Sequence, residues 1–129
     1  MVLVDSSIYI DLLRRGIDPV AELTARFEPT EIVGCDLVRC EVLRGMMRPR
    51  TRKYLADFFD LLVHARMDHR AWRDAENLAW RLARAGKILP LTDLIIAVCA
   101  LRTGAAVATR DAHFASVPRL RLVRWEGAP

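Results

Sequence analysis

Lysine is nearly missing from this chain. Of its 20 basic side chains only Lys53 and Lys87 are lysine, and the rest are arginine. A GC-rich coding sequence is enough to produce that ratio, but it leaves little room for chemistry that needs a lysine at a set place. Cysteine is sparse too. Cys35, Cys40 and Cys99 are odd in number, form no CxxC pair and lie in apolar stretches. They are expected to be buried free thiols, not disulfides or metal ligands. His64, His69 and His113 show neither HxxxH nor HExxH spacing, which argues against a zinc site. No apolar run approaches the ~20 residues that cross a bilayer; the segment Leu94 to Leu101 holds eight. The leading MVLVDSS lacks the regions of a signal peptide. The expected location is the cytoplasm, with no membrane partner.

What remains is a chain of 129 residues, 53% hydrophobic, with a net charge of +4. That length closes one core, so residues 1–129 are read as a single domain. The apolar content excludes disorder and leaves surface for a partner. The positive balance permits a polyanion.

Short β-type runs alternate with helical segments. VLV at 2–4 reads as a strand, followed by a helix capped by Ser6 or Ser7 that stops at Gly16. Asp18-Pro19 opens a second helix. A strand over 31–34 leads to a helix from 36 to 43, capped by Asp36. A further helix is expected over 51–60, then a strand over 61–65. Asp68 caps a long helix to about Ala85, with Trp72, Ala75, Ala79 and Leu82 on its core stripe and Trp80 off it. Thr92 caps the next helix, which ends near Gly104. Strands at 105–109 and 120–123 close the chain. The alternation predicts an α/β fold: a central, mostly parallel sheet of four to five strands with helices on both faces.

Four carboxylates stand where solvated acids are not expected. Asp5 ends the first strand, and Asp111 follows the strand that ends at Thr109. Asp93 heads the all-apolar segment Leu94 to Leu101. Glu41 lies beside the apolar stripe of its helix. Each has a plainer reading: a cap for Asp5, a helix-start acid for Asp93, a pair with Arg44 for Glu41, an Asx-turn for Asp111. Asp11, Asp57, Asp60, Asp74 and Glu76 have the settings of solvated helix faces. Ligands of parallel α/β sheets bind beyond the carboxyl ends of the strands, where the first four would meet. Gathered there without a counter-charge they repel, and a divalent cation with hard oxygen preference, Mg2+ or Mn2+, resolves this.

LVDSSIYIDLL, CEVLRG, LPLTDLIIAVCAL and ATRDAHF, in this order, resemble the four blocks of PIN-domain ribonucleases of the VapC toxin type. The likeness covers essentially the whole chain. It implies a PIN-like three-layer α/β/α sandwich and a metal-dependent endoribonuclease. Asp5, Glu41, Asp93 and Asp111 would be the catalytic quartet, with Asp5, Asp93 and Asp111 on the metal. Thr109 and Ser6, or Ser7, would be accessory hydroxyls. It also implies an RNA substrate, a VapB-type antitoxin and a homodimer. Ile8, Tyr9, Leu12 and Leu13 are expected to offer the antitoxin a groove. Arg44, Arg48, Arg50, Arg52 and Lys53, with no acid among them, are read as a grip on the RNA backbone.

Competing readings fit less well. A haloacid-dehalogenase-like phosphatase wants Asp-x-Asp, and the second position here is Ser7. A receiver domain needs a late lysine that Lys53 and Lys87 do not supply. A non-catalytic RNA-binding or scaffolding domain of the same fold is the alternative that an intact quartet argues against.

Overall fold

The structure is a computed structural model and describes residues 1–125. Its sheet has five strands: β1 (Val2–Val4), β2 (Ile32–Cys35), β3 (Val63–Ala65), β4 (Ala106–Thr109) and β5 (Leu122–Arg124). They lie in the order β3-β2-β1-β4-β5, and every pair is parallel. The expected sheet is therefore parallel throughout. β1, fully buried as VLV, runs down the centre. Strands covered on both faces lose the polar alternation of exposed sheets.

Six helices join the strands: α1 (Ser6–Arg14), α2 (Pro19–Thr24), α3 (Asp36–Leu43), α4 (Pro49–Leu61), α5 (His69–Arg84) and α6 (Leu91–Thr103). Ile8, Tyr9 and Leu12 of α1 are sealed in the core, with Tyr9 packed on Phe59 of α4 at 5.2 Å between ring centroids. α6 is buried nearly all round, from Asp93 through Ala100 apart from Ile95. Its end is set by Gly104 in the left-handed conformation, φ 70°, which a residue without Cβ adopts freely.

Several local expectations are corrected. Asp5, not Ser6 or Ser7, occupies the N-cap position of α1, and its side chain makes no cap hydrogen bond. Cys35 holds that position for α3, so Asp36 is already helical and pairs with His64 instead. Pro90 precedes α6, which places Thr92 inside the helix. α4 begins at Pro49, where the fixed φ of proline suits the first turn. Leu61 ends that helix and is exposed, so β3 is shorter than expected. Pro29–Glu31 forms a 3-10 turn that delays β2 to Ile32. Asp68 does cap α5 through the Ala71 amide. Trp72 is 47% exposed, however, and Ala71, Ala75 and Leu82 face inward. Cys40 is exposed, whereas Cys35 and Cys99 are buried with their sulfurs 3.7 Å apart; all three are free thiols.

Candidate active site

The parallel pairing of β1 with β4 puts Val4 beside Ala108, and the Asp5 amide continues the ladder by donating to the Ala108 carbonyl at 2.9 Å. Asp5 therefore emerges next to Thr109 at the carboxyl edge of the sheet. The Thr109 hydroxyl donates to Asp5 Oδ2 at 2.9 Å, and the Ser7 hydroxyl donates to the same oxygen at 2.7 Å. Ser6 turns the other way and donates to Glu41 Oε1 at 3.2 Å. Each serine thus bonds one of the four acids, and it is Ser7, not Ser6, that reaches Asp5. Thr109 also accepts from the Asp111 amide at 2.9 Å, which fixes the chain as it leaves β4. Arg110 is tied to Asp11 of α1 at 2.6 Å. That pairing makes Asp11 part of the scaffold, not a free solvated acid. Asp57, Asp60, Asp74 and Glu76 keep the expected solvated faces, paired at the surface with Lys53, Arg39, Arg102 and Arg73.

Asp93 stands in the first turn of α6, where the positive end of the helix dipole favours a carboxylate. Yet it is only 9% exposed, and Asp5 only 4%. Asp111 caps the 3-10 turn Ala112–Ser116 by accepting from the His113 amide, as its Asx-turn reading expects. That turn swings His113 over the carboxylates. His113 Nδ1 lies 3.0 Å from Asp93 Oδ2 and 3.1 Å from Asp111 Oδ1. From sequence spacing, His113 enters only as part of the argument against a zinc motif. The signal available was its place two residues after Asp111.

The electrostatics report crowding of like charge. Burial holds the Asp93 carboxyl above the ordinary range, and the charges of Asp111 and Asp5 push it further, against the bond to His113. Burial also raises Glu41, together with the charges of Asp5 and Asp93; the Ser6 hydrogen bond and Arg44 oppose this. The bond to Asp93 and the charge of Asp111 hold the His113 imidazole above its usual value. Glu41 therefore feels Asp5 and Asp93, and Asp93 feels Asp5 and Asp111. Among the described residues, Asp93, Asp111 and His113 each present one ligand atom, all within 4.8 Å of one another. Asp5 and Glu41 border that group and are not within it.

A hard divalent cation suits this donor set. It is oxygen-rich, partly dry and repulsive in the absence of a positive charge. Of the five expected RNA-gripping side chains, Arg44 acts electrostatically on Glu41, whereas Lys53 is paired with Asp57 at 2.7 Å. Arg48, Arg50 and Arg52 are exposed around the start of α4. No helix among the described residues is long and apolar enough to cross a membrane.

Comparison with known proteins agrees with this architecture. The VapC ribonuclease Mb1587 of Mycobacterium bovis is 27% identical over 125 residues, covering 93% of each chain. Ribonuclease VapC11 of Mycobacterium tuberculosis matches to the same extent. The structure of VapBC2 from Rickettsia felis, bound to a DNA fragment from its promoter, superimposes with a TM-score of 0.78. It is 20% identical and covers 98% of this chain and 100% of its own. DNA-bound VapBC from Salmonella typhimurium gives 0.77 at 19% identity, covering 95% and 96%. The PIN domain family model matches residues 2–120. With a sheet of matching fold and acids from four separate blocks at its carboxyl edge, this chain belongs to the PIN domain family.

Proposed function

We propose that this protein is a metal-dependent endoribonuclease, acting in the cytoplasm as the toxin of a toxin–antitoxin pair. The observation that carries the reading is the convergence of Asp5, Glu41, Asp93 and Asp111, two of them nearly buried. Asp5, Asp93 and Asp111 would hold Mg2+ or Mn2+. When bound, the ion supplies a water acidic enough to attack at neutral pH and offsets charge building on the phosphate.

The chain's own groups do the rest. Ser7 and Thr109 hold Asp5 in one orientation. Glu41, raised by burial and steadied by Ser6, is suited to take a proton from the attacking water. His113 bridges Asp93 and Asp111 and is suited to donate toward the leaving oxygen.

The partners follow from the surface. Ile8, Tyr9 and Leu12 are core residues and cannot form the expected antitoxin groove. A groove one face over fits instead: Ile10 and Leu13 of α1 with Val42 and Met46 enclose about 400 Å3, lined also by Glu41 and Arg44. An antitoxin segment seated there would cover Glu41. For a homodimer, the exposed apolar face around Leu37, Trp72, Leu91 and Ile95 is the fitting contact.

The test is cleavage of a labelled structured RNA with Mg2+, Mn2+ or chelator, with Asp93→Asn beside the wild type. Cutting should require the metal and fall at least about 100-fold in the variant, a loss typical of a group acting on the reacting centre. Equal cutting by both proteins would place the activity elsewhere.

A further inference from the structure

A second groove, of about 520 Å3, lies between α5, α6 and the segment after the 3-10 turn. Arg81, Lys87, Arg102 and Arg119 line it with a single acid, Asp74. Arg102 is already bound to Asp74 at 2.9 Å and to Asp68 at 3.3 Å. Arg81, Lys87 and Arg119 have no carboxylate partner among the described residues. Lys87 is one of only two lysines in the chain. Leu78, Leu82, Val98 and Pro118 make the wall between these cations apolar. Arg119 has φ 66°, the one non-glycine residue at positive φ among those described. That conformation is unfavourable for a side chain with a Cβ.

The groove is near the carboxylates without being part of their cluster. The 3-10 turn opens at Asp111 and ends at Ser116, which lines the groove. At ~2 Å per residue that is roughly 10 Å of chain. On α6, Val98 and Arg102 follow Asp93 by roughly 8 and 14 Å of helix, at ~1.5 Å per residue.

We propose that this groove binds the phosphodiester backbone of the RNA on one side of the scissile bond. The inference rests on the ribonuclease reading above and names where its substrate extends. Guanidinium groups bond two phosphate oxygens at once. Three uncompensated cations supply an attraction that the acidic site does not. The apolar wall suits the face of an unstacked base. RNA is favoured over an acidic peptide because the same strand must already reach the carboxylates nearby.

The test is binding without chemistry. Labelled single-stranded RNA is titrated in EDTA against the wild type and Arg81→Glu/Arg119→Glu, across a range of salt. Arg73→Glu, on another face of α5, serves as a control. Both substituted sites are exposed, and circular dichroism checks the fold. The double variant should bind at least about 10-fold more weakly. Its log K against log salt slope should fall by about 1.4, for two lost contacts at about 0.7 each. With Mg2+, kcat/KM should drop for long RNA and hold for a short oligonucleotide that does not reach the groove. Unchanged affinity and slope overturn the proposal. So does a variant that loses poly-glutamate binding while keeping RNA binding. A wild type that cuts no RNA with any metal overturns the ribonuclease reading instead, and the metal-free binding arm still judges the groove.

Discussion

The Thr109 hydroxyl has two duties: it donates to Asp5 and accepts from the Asp111 amide. Thr109→Val keeps the shape and removes both bonds. Orienting groups of this kind typically affect metal affinity by 10–100-fold when lost. Calorimetric titration with Mn2+ should therefore show about a 10-fold or greater weakening, with little change in the fold. Glu41, Asp93 and His113 are all held above their ordinary values. The native state thus binds protons more tightly than the unfolded chain does at these groups. The stability they contribute is complete in acid and is lost as pH rises through the raised values. The melting temperature of metal-free protein should fall between about pH 4 and about pH 8, spanning the ordinary carboxylate and histidine ranges and the region just above them. Mg2+ should reduce that fall. A flat or rising profile without metal would contradict the shifts. That these four acids lie together was legible from residue type and position. His113 was not, because its role depends on a turn closing over α6.

α5 meets α6 through small side chains, and Ala71, Ala75 and Val98 form their own buried cluster. Small residues let two helices approach closely. Ala75→Leu forces extra volume into that contact and should destabilise by about 1–3 kcal/mol, read from the denaturation midpoint. Placing Trp72 on the core stripe failed for the same reason. Hydrophobicity nominates the large indole, but Ala71 and Ala75 are the residues packed between the helices, and Trp72 turns outward. Helix ends were legible where a side chain reaches a backbone amide, as at Asp18 and Asp68. They were not legible at Asp36 or Thr92. There the preceding backbone, not the side chain, sets the first turn.

For the molecule as a whole, an exposed Trp72 beside Leu91 and Ile95 is a surface that water does not favour. If two copies cover it, Trp72→Asp should turn a dimer into a monomer in sedimentation at micromolar concentration. A wild type that is already monomeric would dispose of the contact. The basic surplus is not spread evenly in effect. Some arginines are paired across elements, such as Arg39 with Asp60, Arg102 with Asp68 and Asp74, and Arg110 with Asp11. Net charge therefore says little about where a polyanion would lie. The unpaired cations do, and only the fold reveals which those are.

The sequence by itself determined the order of strands and helices, because the alternation of short apolar runs with amphipathic stretches admits little else. It also singled out four acids that the fold brings together, since each sits at an element end or on an apolar face, where a solvated charge has no reason to be. The tertiary structure alone decided their company. Strand order placed Thr109 beside Asp5, and the turn after β4 brought His113 onto Asp93. The packing of α1 buried Ile8, Tyr9 and Leu12 and moved the open groove to Ile10 and Leu13. These are contacts between residues far apart along the chain, and spacing within any one segment carries no information about them.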